Sequence, residues 1–193
     1  MKTHAQLVLA LIVGCSLGFR PGEALTQTSP PKVESGPGPY NVDLEAAPGK
    51  SEERSLPAPS GAFTVKGLLQ FVAVQKDPKW APMAGIELLG SRDSPSFGLI
   101  AFVMPKAPDK IEFASRDSRL EGLPDASFVR APLSNLAIPF ELHLDKSGVL
   151  QVSVAGRPGR AISVRPLEIT RVTVHASGGH MRFANLEIAP SDK

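Results

Sequence analysis

The chain is poor in cysteine, tryptophan, tyrosine and net charge. Cys15 is the one cysteine in 193 residues, so an exported domain built from this sequence folds without a disulfide of its own. Many small secreted animal domains depend on such bridges, and doing without them favours a bacterial envelope protein. The formal charge is +2, near neutral, which leaves no basic footprint for nucleic acid or anionic lipid. Aromatic residues make up 6%, with one Trp and one Tyr, which argues against a broad stacking platform for long polysaccharides. No segment is apolar and long enough to cross a bilayer as a helix. There is no Gly-rich phosphate loop, G-x-S-x-G elbow or zincin helix. The histidines have no paired ligand spacing and no nearby cysteine, so neither a metal nor another cofactor is expected.

What the chain has in quantity is proline and glycine, 19 and 17 residues, and their placement divides it. Lys2 and His4 precede the short apolar run 7–14, the pattern of an export signal over 1–24. Two processing routes compete. Ile12-Val13-Gly14-Cys15 is like a bacterial lipobox, in which Cys15 is lipidated and becomes the new N-terminus; Gly22-Glu23-Ala24 offers the small residues of ordinary signal cleavage. From 25 to 60, Pro30-Pro31, Gly36-Pro37-Gly38-Pro39, Pro48-Gly49, Pro57 and Pro59 interrupt any ladder or helix, and the charged run Lys50–Arg54 has no apolar partner face. This composition predicts an extended tether. A short edge strand at Tyr40–Glu45, where Tyr40, Val42 and Leu44 alternate with polar residues, is the alternative for that stretch.

From 61 to 190 the pattern is strand throughout. Ile138, Phe140, Leu142 and Leu144 alternate with polar residues, Asp145-Lys146-Ser147-Gly148 turns the chain, and Leu150, Val152 and Val154 resume the period of two. That is a β-hairpin with one buried face. Phe63–Gln75 predicts a long strand, and Phe97–Met104, apolar on both faces, a central one. In the last segment Met181 and Phe183 share one phase while Leu186 and Ile188 share the other, so burying all four needs an extra residue near Ala184-Asn185, a β-bulge. Ser91-Arg-Asp-Ser94 recurs as Ser115-Arg-Asp-Ser118, a shared turn composition rather than a duplicated site. About ten short strands and no amphipathic helix predict an all-β, two-sheet antiparallel sandwich.

The order of strands and turns, carried by Phe140–Leu144, Gly148–Val154, Gly156, Ser177-Gly-Gly179 and Phe183-Ala-Asn-Leu-Glu-Ile188, resembles the C-terminal half of the concanavalin A-like lectin/glucanase superfamily. The closing segment is similar to laminin-G-like domains and to the 3-keto-disaccharide hydrolase domain family. Ala84-Gly-Ile86 answers more weakly to a step in the first half. The resemblance implies a jelly roll over about 63–188 and, through it, a glycan ligand.

Several residues are candidates for a site. Glu141, His143 and Asp145 lie on one face of one strand, an arrangement open to acid catalysis. Cα atoms four apart in a strand, however, are roughly 13 Å apart, against carboxyl separations of ~5–9.5 Å in glycoside hydrolysis. Asp145 also has turn duties of its own, and the superfamily's glucanase pattern of two Glu flanking an Asp is absent. A wet face is therefore expected there, with no catalytic residue. Trp80, in a loop between Pro78 and Pro82, either stacks on a sugar or, the favoured alternative, caps the end of the core. Arg171, Thr173, His175 and His180 join His143 on a shared polar face if their strands are neighbours. The expected ligand-binding set is Trp80, Glu141, His143, Arg171 and His175. The leading expectation is an exported, non-catalytic module that binds a glycan or envelope component, with membrane contact only through a lipid on Cys15. A carbohydrate-active enzyme using the polar residues of the curved face, and a structural envelope protein with no small ligand, are the alternatives.

Overall fold

Alternating burial continues through nearly every strand and builds two antiparallel sheets packed face to face. The computed structural model describes residues 38–90, 95–120 and 126–191, all within the unit Pro31–Lys193. The expected signal at 1–24 with Cys15, the first part of the expected tether and the Ser91–Ser94 copy lie outside them. One sheet runs β1 (Tyr40–Ala46), β13 (Gly179–Pro190), β3 (Phe63–Val74), β8 (Ile138–Leu144), β9 (Val149–Val154) and β10 (Arg157–Pro158), with β11 (Ile162–Ser163) also pairing to β9. The other runs β2 (Glu52–Pro57), β12 (Arg171–Ser177), β4 (Met83–Leu89), β5 (Ser96–Met104), β6 (Ala107–Asp117) and β7 (Ala126–Pro132). No helix occurs among the described residues.

The inward phases meet in one core. Val65, Phe71, Leu142, Val152 and Phe183 of the first sheet pack toward Ile86, Leu88, Phe97, Phe113, Val172 and Val174 of the second. Phe63, Phe97, Phe113 and Phe183 are fully buried, and truncating such a ring to Ala costs about 3–5 kcal/mol. The hairpin at β8–β9 is as the sequence predicts, and its turn explains Asp145. Oδ1 of Asp145 accepts from Ser147 Oγ (2.6 Å) and from the Val149 amide (2.9 Å), while Gly148 takes φ +76°, a conformation costly for a residue with a Cβ.

The last strand carries its bulge where the two hydrophobic phases collide. Ala184 pairs with Leu68 but Glu187 with Lys66, so three steps on β13 match two on β3. Asn185 takes φ +51° there, and its amide donates to Asn41 Oδ1 (3.0 Å). The inserted residue restores phase, leaving Met181, Phe183 and Leu186 all fully buried and Ile188 packed against the core.

The expected tether needs correction. From Tyr40 onward it belongs to the fold: β1 pairs with β13 and sends Val42, Leu44 and Ala46 inward, and β2 pairs with β12 and buries Leu56. Among the described residues Pro39 precedes β1, Pro48-Gly49 lies in the β1–β2 turn, Pro57 ends β2 and Pro59 lies in the loop before β3. The charged run 50–54 leads into and opens β2, whose inward residue is Leu56. Ser115-Arg-Asp-Ser118, expected in a turn, lies mostly on β6, with Ser115 buried.

Candidate functional site

The second sheet presents a polar groove on its outer face. On β12 the alternation that sends Val172, Val174 and Ala176 inward sends Arg171, Thr173 and His175 outward. Register then aligns Ser55, Thr173, Glu87, Gly98 and Arg116 in one row across β2, β12, β4, β5 and β6. Ser55 Oγ and Thr173 Oγ1 are hydrogen-bonded at 2.9 Å. Strands β4 and β6 are not neighbours, and two strand spacings are roughly 9–10 Å. Arg116 nonetheless brings Nε within 3.0 Å of Glu87 Oε1, because Gly98 between them has no side chain to stand in the way.

The next row holds Glu53, His175 and Gly85. The imidazole of His175 fills the space above Gly85, where a Cβ would run into Nε2. It sits 3.6 Å from Glu87 Oε1, an ion-pair separation rather than a hydrogen bond. Burial by itself pushes the Glu87 carboxyl up, but His175, Arg116 and the Ser96 hydroxyl outweigh it and hold the group below its usual range. Glu87 therefore stays a carboxylate. Along the groove, about 350 Å³ in volume, Ser51, Glu53, Ser55 and Arg171 stand beside Thr173 and His175. Neither Arg171 nor Glu53 has an ion-pair partner among the described residues. The groove thus offers hydroxyls, one unspent guanidinium and one unspent carboxylate, a set suited to hydrogen-bonding a hydroxyl-rich molecule. Among the described residues no three His, Cys, Asp or Glu side chains converge as metal ligands.

Of the sequence-predicted residues, Arg171, Thr173 and His175 come together here and the others do not. The shared face with His143 fails because β8 and β12 belong to different sheets. Their polar faces look out from opposite sides of the sandwich. His143 Nδ1 is hydrogen-bonded to Thr64 Oγ1 at 3.0 Å, and Glu141 lies across from Lys66 and Ser153. Around them the first sheet's outer face carries the surface ion pairs Lys66–Glu187 at 2.9 Å and Asp43–Arg182 at 2.8 Å, and His180 Nε2 is hydrogen-bonded to Asp43 Oδ1 at 2.9 Å. Asp145, engaged by the turn, is held below its usual range by Ser147 Oγ and the Val149 amide. Trp80 does not cap the core; it is 46% exposed and lies in the β3–β4 loop. Sequence reasoning missed Glu87, Glu53, Ser55 and Arg116. The signal for Glu87 was a single charge in the apolar run Gly85–Leu89.

No family model matches the sequence, and no curated protein matches it. Solved structures do match the fold. An alginate lyase from Pseudomonas aeruginosa superposes with a TM-score of 0.51 at 16% identity, over 68% of this chain and 65% of that one. A sialidase gives 0.53 at 14% identity, over 79% of this chain and 15% of its own length. The potassium-bound carbohydrate recognition domain of Emp46p gives 0.50 at 13% identity, over 78% and 84%. The chain thus spans less than two thirds of the lyase and a small part of the sialidase. At these identities the likeness lies in the arrangement of strands. Two antiparallel sheets packed face to face give the chain a jelly-roll sandwich fold.

Proposed function

We propose that this chain is an exported, non-catalytic β-sandwich that binds a glycan, free or within the cell envelope, in the groove on the outer face of the second sheet. The row Ser55–Thr173–Glu87, flanked by the unspent charges of Arg171 and Glu53 in an open groove, carries this reading. A sugar's hydroxyls both donate and accept, and they need convergent polar partners of both kinds. The carbohydrate recognition domain of Emp46p shares the fold over most of its length and supports the ligand class without assigning a residue. Glu87 is ill suited to the role of general acid, which needs its proton held by a raised pKa. Glu87 is pulled the other way by its neighbours.

The test is a glycan array on the mature chain, followed by titration of the best ligand. Arg171→Ala is expected to weaken binding roughly tenfold and Thr173→Val roughly fivefold, the scale of a charged and a neutral hydrogen bond. Glu141→Gln and His143→Ala, on the opposite face, should leave affinity unchanged. An array with no binder, or loss through Glu141→Gln with Arg171→Ala silent, overturns the assignment. Export rests on the pattern over 1–24. Mass spectrometry of the mature N-terminus should read a lipidated Cys15 or a start at Leu25, and an intact Met1 in the mature protein would remove that part.

A further inference from the structure

The β3–β4 loop, 75–82, passes from one sheet to the other and carries a second cavity, made of residues the groove does not use. The loop is tied at both ends. The Gln75 amide donates to the Gly178 carbonyl (2.9 Å), and the Val103 amide donates to the Pro82 carbonyl (2.9 Å). Between them Asp77 Oδ1 accepts from the amides of Lys79 (2.8 Å) and Trp80 (3.1 Å). Trp80 rests its pyrrole edge on Gly49, where a Cβ would come within 3.1 Å of Nε1. The resulting pocket is about 420 Å³, and its walls include Trp80, Met104, Pro78, Pro82, Pro105 and Pro108. Prolines have fixed φ and the Asp77 turn holds the tryptophan's backbone, so little order remains to be acquired on binding.

Chemistry narrows the occupant. Proline, methionine and valine side chains offer a sugar hydroxyl few partners for the water it would lose, so the mainly apolar interior suits an apolar body. Two cations, Lys76 and Lys79, stand at the rim. Both are exposed, and neither has an ion-pair partner among the described residues. Asp77 is the acid among the lining residues, and its Oδ1 is occupied by the loop's own amides. We propose that this pocket binds a small anionic amphiphile. The apolar part lies against Trp80, Met104 and the prolines, and a carboxylate or sulfate head meets Lys76 and Lys79. It stands independently of the groove on the second sheet.

Trp80 is the sole tryptophan of the chain, so tryptophan emission, excited to the red of tyrosine absorption, reports on this pocket. The full chain is titrated with octanoate, octyl sulfate, octyl glucoside and acetate, and separately with anionic phospholipid vesicles. Octanoate and octyl sulfate, below their micellar concentrations, should shift the emission saturably. Octyl glucoside, with the same tail and a neutral head, should bind roughly fivefold more weakly, the scale of two exposed ion pairs, and acetate should do nothing. Lys76→Gln/Lys79→Gln changes only solvent-exposed side chains and should erase the anion preference while leaving the octyl glucoside response as it was. No saturable shift, equal affinity for charged and neutral heads, an unaffected double variant, or a response to vesicles alone would each overturn the assignment, the last by making the loop a membrane contact.

Discussion

Two glycines on the outer face of the second sheet have opposite tolerances, and the difference lies in what each one faces. A Cβ at Gly85 meets the far end of the His175 side chain; a Cβ at Gly98 meets the Ile86 backbone carbonyl. An imidazole can rotate away, whereas a carbonyl fixed in a strand ladder cannot. Gly85→Ala should therefore cost under about 1 kcal/mol and displace His175, while Gly98→Ala should cost about 1–3 kcal/mol, both measured by urea denaturation. Glu87 gives the pH dependence. Its folded pKa lies below the usual 4.5, so its contribution to stability is fully present above that value and is lost as pH falls through the folded one. Glu87→Gln leaves Arg116 without its counter-charge and should cost about 1–2 kcal/mol near neutral pH. That lies at the low end for broken pairs because Arg116 is 37% exposed. The stability gap between wild type and variant should narrow from about pH 5 downward; a gap that widens on acidification would contradict the assignment.

At the scale of the element, β13 is two strand segments of opposite phase joined by one residue. Asn185 at φ +51° performs the join, and Asn accepts the left-handed region better than a branched side chain. Asn185→Gly should be nearly neutral, while Asn185→Val should cost about 1–2 kcal/mol. Deleting Asn185 would turn Leu186 and Ile188 to water and should lower the urea midpoint further than any single side-chain truncation on that strand. The bulge was legible in advance because Met181, Phe183, Leu186 and Ile188 are large enough for a phase conflict to show in the bare sequence. Strands β1 and β2 were harder to see. Strand β1 buries Val42, Leu44 and Ala46, but β2 buries Leu56 alone, so no alternation of apolar residues marks β2 in the sequence.

At the scale of the molecule, β1 and β2 cover the edges that β13 and β12 would otherwise expose. A fragment beginning at 61 loses the buried Val42, Leu44 and Leu56 and leaves two open ladders, which are templates for pairing with another chain. It should aggregate or unfold at a temperature where a fragment beginning at 38 remains monomeric and β-rich, by size-exclusion chromatography and circular dichroism. Monomeric, cooperative unfolding of the shorter fragment would show that the two strands are dispensable.

The sequence alone was enough for the strands from Phe63 onward, the hairpin turn at Asp145–Gly148, the bulge at Asn185 and the sandwich they imply. All of these follow from a period-two pattern that acts between near neighbours in the chain. Which polar residues share a face was decided only by tertiary structure. His143 and His175 have the same local pattern, yet they point away from opposite sides of the molecule because β8 and β12 enter different sheets. Ser55, Thr173 and Arg116 are scattered along the chain, yet they stand in one row because antiparallel pairing sets register across strands far apart in sequence. Alternation tells a side chain whether to face in or out; only the pairing of distant strands tells it which neighbours it will have.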